Sequence, residues 1–93
     1  YKPKVVYIAY GETDDFAHGG KYDLYLHSAR NTDKMIEQLW NWCQQDPQYK
    51  GKTTFIFTTD HGRGDVNISD WRHHGIKMPH ADEIWMAFLG PDT

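Results

Sequence analysis

Three short apolar runs and one long stripe of helical spacing organise this chain. Val5 to Tyr10 (VVYIAY) is nearly continuous in β-branched and aromatic residues and stops at Gly11, which predicts a strand buried on both faces. From Tyr22 to Gln45 the residues Tyr22, Leu26, Ala29, Ile36, Trp40 and Cys43 recur near helical spacing, and Met35, Leu39 and Trp42 widen the stripe. One long helix is predicted there. Asp46-Pro47 ends it, because proline disfavours helical geometry in the residue before it and cannot donate to the hydrogen-bond ladder. Thr53 to Thr59 (TTFIFTT) reads as a second strand, introduced by Lys50-Gly51-Lys52 and closed by Asp60-His61-Gly62. Ile84 to Leu89 (IWMAFL) is a third, ending at Gly90-Pro91. Strand, helix, strand in that order predicts a parallel pair with a crossover, and hence an α/β fold: a mainly parallel sheet with a flanking helix. Between the second and third strands, Gly62 to Glu83 is rich in Gly, Asp and His and has no period. Loops of that length inside compact domains are usually functional or disordered.

Composition narrows the function classes. The chain has 93 residues, enough for one folding unit with a modest core. A formal charge of −3 with scattered Lys and Arg offers no basic face for a phosphate backbone, so no nucleic-acid partner is expected. The single cysteine, Cys43, precludes an intrachain disulfide and a cysteine-only zinc cluster, and it reads as a buried helix residue. No apolar run approaches the roughly 20 residues that span a bilayer, so no membrane segment is expected in this chain. The chain opens on Tyr1-Lys2-Pro3-Lys4 without an initiator Met and enters an apolar run at once, which reads as a piece of a longer protein.

Three polar clusters follow this pattern, two of them directly after predicted strand ends, where open α/β sheets place their ligands. In Gly11-Glu12-Thr13-Asp14-Asp15-Phe16-Ala17-His18, the residues Asp14 and His18 share a face if the segment turns helically. Together they offer a carboxylate oxygen and an imidazole nitrogen suited to zinc. The plainer alternative is that Asp14 or Asp15 caps a short helix and His18 lies on the surface. In Thr59-Asp60-His61-Gly62, a carboxylate and an imidazole adjacent in sequence converge on one ion only if the chain leaves extended geometry, which Gly62 permits. In Trp71-Arg72-His73-His74-Gly75, neighbouring histidines supply one or two imidazoles, and Arg72 or Arg63 could bind an anionic group. His80, in Met78-Pro79-His80, is read as a surface residue.

In order, a strand, Asp14-x-x-x-His18, a helix, a strand with Thr59-Asp60-His61-Gly62, a loop with His74-Gly75 and a strand ending Gly90-Pro91 resemble the alkaline phosphatase superfamily. That group includes alkaline phosphatases, nucleotide pyrophosphatase/phosphodiesterases, cofactor-independent phosphoglycerate mutases and sulfatases. The resemblance covers essentially the whole chain and implies a partial domain, the C-terminal metal-binding part of an alkaline-phosphatase-like catalytic domain. It implies that Asp14, His18 and His74 hold one metal ion, with His73 the alternative to His74, and that Asp60 and His61 contribute to a second. Zinc suits such donors best and manganese is also accepted. Two ions roughly 4 Å apart clamp a transferred phosphoryl or sulfuryl group.

The family's Ser or Thr nucleophile and a further ligating Asp have no counterpart in this chain, and Thr13 and Ser28 are read as structural. The implied partners are therefore the remainder of the catalytic domain and a small-molecule phosphate (mono- or di-) ester or sulfate ester substrate. This chain alone is expected to be inactive. Sulfatase or phosphoglycerate-mutase-like chemistry is the alternative within the superfamily, and a non-catalytic metal- or protein-binding domain the alternative outside it. Bacterial alkaline phosphatases carry a magnesium-ligating Glu five residues before the first Asp, where this chain has Ala9, so a third ion is not implied. His74-Gly75 is closer to the phosphodiesterase and sulfatase-like branches than to the His-Thr of phosphatases and mutases. The resemblance points to an exported or periplasmic setting, while the residues themselves fix no compartment.

Overall fold

The stripe of apolar residues that begins at Tyr22 folds as a single helix, α2 (Tyr22–Gln45), and the rest of the chain is arranged around it. The computed structural model describes all 93 residues. Asp23 lies in the first turn of α2, where negative charge favours the helix dipole, and the chain turns extended at Asp46 before Pro47. A shorter helix, α1 (Glu12–His18), precedes it and carries three acidic residues, Glu12, Asp14 and Asp15, in its first turn. The two helices pack on each other around Ala17, which is fully buried, and Ser28, whose Oγ donates to Glu12 Oε2 at 3.1 Å. Cys43 is buried near the far end of α2.

Two strands complete the framework, β1 (Phe55–Thr58) and β2 (Met86–Leu89). Trp40 of α2 meets Phe55 of β1 edge-on at 5.3 Å between ring centroids, so the helix lies against one side of the strand pair. The strands pair antiparallel, with Phe55 opposite Leu89 and Thr58 opposite Met86. The sheet was expected to be mainly parallel; this pair runs the other way, and the reason lies in the connection. A parallel partner needs a crossover that carries the chain back over the sheet. Here the segment between the strands contains one turn of 3₁₀ helix, Asp70–Arg72, and folds back on itself. Two backbone hydrogen bonds pin its arms together, Gly62 N–H to Ala81 O at 2.8 Å and Gly64 N–H to His73 O at 3.2 Å. The returning chain therefore enters β2 beside β1 in the opposite sense.

Val5 to Tyr10, expected as a strand buried on both faces, forms no strand ladder, and Val5 and Tyr7 are 87% and 89% exposed. A strand exists only beside a partner, and β1 and β2 are occupied with each other in a two-stranded sheet. The buried set is correspondingly small. Five of 93 residues are buried and the largest fully buried side chain is a serine, so these residues do not close a core of large apolar groups. The radius of gyration is 16.1 Å, against about 12 Å for a compact domain of this length. No helix is long and apolar enough to cross a membrane.

Candidate metal centre

Helical geometry in α1 sets Asp14 and His18 one turn apart on the same face, and His18 Nε2 lies 3.3 Å from Asp14 Oδ2. His74, just beyond the 3₁₀ turn, brings its Nε2 within 3.1 Å of His18 Nε2 and 3.4 Å of Asp14 Oδ1. One donor atom from each of Asp14, His18 and His74 lies within 4.8 Å of the others. Tetrahedral zinc with bonds of about 2.0–2.1 Å holds its ligand atoms about 3.3–3.4 Å apart. The two imidazole nitrogens, 3.1 Å apart, are at about that spacing, and each lies 3.3–3.4 Å from a different oxygen of Asp14, so the donor set is of the kind that could close on one divalent ion. Of the two adjacent histidines, His74 is the one near the carboxylate, and its ring centroid lies 5.0 Å from that of His18, against 6.2 Å for His73.

The second pair arrives from the end of β1. Asp60 Oδ1 accepts the His61 backbone N–H at 3.0 Å, and His61 Nε2 lies 3.7 Å from the same oxygen and 3.8 Å from Asp14 Oδ1. The His61 ring stacks on that of His74 at 3.6 Å and 19°. Its Nδ1 sits 2.8 Å from Gly62 O. A carbonyl oxygen only accepts, so Nδ1 is the donor, which in a metal-ligating histidine leaves Nε2 to face the ion, a common way of fixing such a ligand. Gly62 makes this turn possible by size: a Cβ there would sit 2.5 Å from the carbonyl oxygens of both His80 and Glu83. Thus Asp14, His18, His61 and His74 stand together, linked by contacts of 3.8 Å or less, and Asp60 joins them through its neighbour His61.

Both arginines make contacts within the chain. Arg63 donates through Nη2 to Asp14 Oδ1 and through Nη1 to Trp71 O at 3.3 Å. Arg72 donates through Nη2 to His18 O at 3.1 Å, at the C-terminal end of α1. Burial alone would push the Asp14 carboxyl up, but the Arg63 hydrogen bond and charge, with the charges of His18 and His74, outweigh it and hold the group below the usual carboxylate range. Trp71 packs edge-on against Tyr22 and Tyr25 of α2, at 5.3 and 5.8 Å, and so fixes the loop that carries His74. The pairing of Asp14 with Arg63 spans 49 residues, and no local spacing signals it. His80 lies apart from this group, with Nδ1 2.9 Å from Glu83 Oε1 and Nε2 3.6 Å from Asp65 Oδ1.

The sequence pattern of the family "Type I phosphodiesterase / nucleotide pyrophosphatase" matches residues 1–85. A 2,3-bisphosphoglycerate-independent phosphoglycerate mutase of Gracilaria tenuistipitata var. liui is 31% identical over 67 residues, 72% of this chain and 12% of that protein. The GPI ethanolamine phosphate transferase 1 of Homo sapiens is 32% identical over 68 residues, 73% of this chain and 7% of that protein. The matched regions are thus a small part of both relatives. No solved structure matches the chain.

Proposed function

Because the chain belongs to the type I phosphodiesterase / nucleotide pyrophosphatase family, within the alkaline phosphatase superfamily, we propose that it is the metal-binding part of a larger catalytic domain that transfers a phosphoryl group of a phosphate ester by means of two divalent ions, zinc foremost. The observation that carries this reading is the convergence of one donor atom from each of Asp14, His18 and His74 within 4.8 Å, with the His61 ring stacked on that of His74. Asp14, His18 and His74 would hold one ion, and Asp60 and His61 would contribute to the other. When bound, such a pair activates a nucleophile and stabilises the leaving oxygen of an in-line displacement.

The chain's own residues prepare that site. The Gly62 carbonyl orients the His61 imidazole, Arg63 holds one oxygen of Asp14, and Trp71 seats the His74 loop on α2. We assign the nucleophile to no hydroxyl of this chain, in line with Ser28 being buried against Glu12 in the contact between the helices. The attacking Ser or Thr is therefore assigned to the remainder of the domain, which would also cover the apolar side chains of Val5 to Tyr10 and extend the strand pair into a mainly parallel sheet. The names of the two relatives share a phosphate group as the moved or held element, and transfer to an alcohol or to water is equally served by this arrangement.

Zinc-loaded full-length protein assayed with chromogenic phosphate mono- and diesters tests the proposal. Asp60→Ala and His74→Ala should each lower kcat/KM by about 10²-fold or more, because several kcal/mol of charge stabilisation depends on the ions. Turnover that survives both substitutions would refute the assignment.

A further inference from the structure

The ligand residues come from three separate segments: α1 (Asp14, His18), the turn after β1 (Asp60, His61) and the loop after the 3₁₀ helix (His74). Short helices and loops cannot hold such groups in register by themselves, and the small buried set gives little support from below. One side chain touches all three. Arg63 grows from the turn after β1, its Nη2 donates to Asp14 on α1, and its Nη1 donates to the Trp71 carbonyl in the loop that leads to His74. Its side chain is only 17% exposed, the least of the groups around Asp14.

We infer that Arg63 is a positioning residue for the metal centre: its planar fork ties the three ligand-bearing segments together and holds Asp14 so that Oδ2 is presented toward His18 while Oδ1 is engaged. This rests on the metal-binding reading above. The guanidinium suits the task because it presents fixed, divergent N–H groups to two acceptors at once, whereas a lysine ammonium is a compact charge on a flexible stem. A cation beside a metal site also repels the ion. The positioning gain and the charge repulsion therefore act in opposite directions, and a test must separate them.

Arg63→Lys does so, because it keeps the charge and removes the span, whereas Arg63→Met removes both. In full-length protein, zinc affinity is measured by competition with a chromophoric chelator, ions per chain are counted, and the thermal midpoint of the metal-free protein is recorded. Cobalt substitution adds an absorption spectrum that reports coordination geometry. Arg63→Lys should weaken zinc binding about 10- to 100-fold, the range seen when groups that orient metal ligands are removed. Its cobalt spectrum should change while the metal-free midpoint stays put. Arg63→Met should bind zinc more tightly than Arg63→Lys, since it is relieved of the repulsion.

Wild-type zinc affinity in Arg63→Lys would overturn the inference, as would a raised KM with unchanged metal binding, which would make Arg63 a contact for the substrate anion. A fall in the metal-free midpoint that accounts for the weaker binding would likewise overturn it, by reducing Arg63 to a fold-stabilising residue. Asp14→Ala run in parallel distinguishes the two levels. If Asp14→Ala binds zinc normally, the metal-binding reading itself fails; if it loses zinc and Arg63→Lys does not, only the role of Arg63 fails.

Discussion

Adding one methyl group at Gly62 should disable the second half of the metal site without touching a ligand. In Gly62→Ala the new Cβ would start 2.5 Å from the carbonyl oxygens of His80 and Glu83, and both are backbone atoms with no rotamer to yield. Ordinary contact between such atoms is about 3.4 Å or more, so the turn and the chain opposite must part. Overpacking of this kind costs about 1–3 kcal/mol. The Gly62 N–H bond to Ala81 O, 2.8 Å long, lies on the same contact and is stretched or lost, at about 0.5–1.5 kcal/mol. Together these give about 1.5–4.5 kcal/mol. Because the Gly62 carbonyl also receives His61 Nδ1–H, the displacement turns the imidazole away. Urea unfolding of the full-length protein should show the loss of stability as a lower midpoint, and metal counting should show one ion retained and one lost. A Gly62→Ala protein with an unchanged midpoint and two ions would refute the steric reasoning.

Trp40→Ala should cost about 2 kcal/mol by urea unfolding, less than the 3–5 typical of a fully buried tryptophan, because Trp40 is half-buried where α2 meets Phe55. His80 should contribute a small pH-dependent stability. Its hydrogen bond to Glu83, then the charges of Asp65, Glu83 and Asp82, raise it above the ordinary 6.5, so the contribution is present below 6.5 and fades as pH rises through the raised value. Thermal midpoints of wild type and His80→Gln should therefore differ at pH 5.5 and converge near pH 9; a gap that widens with pH would contradict this. The isolated 93-residue chain with zinc should not turn over chromogenic phosphate esters and should bind a hydrophobic dye strongly, given exposed Val5, Tyr7 and Ile56. Turnover comparable with the full-length protein would contradict the placement of the nucleophile elsewhere.

Local patterning explains what could be read from the chain beforehand. The helix spans Tyr22–Gln45 as its apolar stripe and Asp46-Pro47 indicate, and β1 and β2 lie inside the TTFIFTT and IWMAFL runs. The antiparallel sense of those strands was not legible, because it depends on the two backbone bonds that fold the intervening loop, and backbone bonds carry no residue signature. Val5 to Tyr10 has the composition of a buried strand, but composition states a preference and only a neighbouring strand realises it. At the site, Asp14 with His18 and Asp60 with His61 are singled out by their places after apolar runs, whereas His74 in the long loop joins them only through the family resemblance. The Arg63–Asp14 pair is not, since it joins segments 49 residues apart that meet only in three dimensions.

The pinned loop between β1 and β2 also divides the molecule into parts that can change at different rates. Its paired arms, Gly62 with Ala81 and Gly64 with His73, close the base, while Asp65 to Ser69 and Gly75 to Lys77 project outward with Ile68 and Ile76 almost wholly exposed. Lengthening a loop beyond a closed base adds only a slowly growing entropic cost. Insertions and substitutions in those two tips therefore leave His61 and His74 where they are, so the rim beside the site is free to diversify among descendants that keep the same chemistry at its floor.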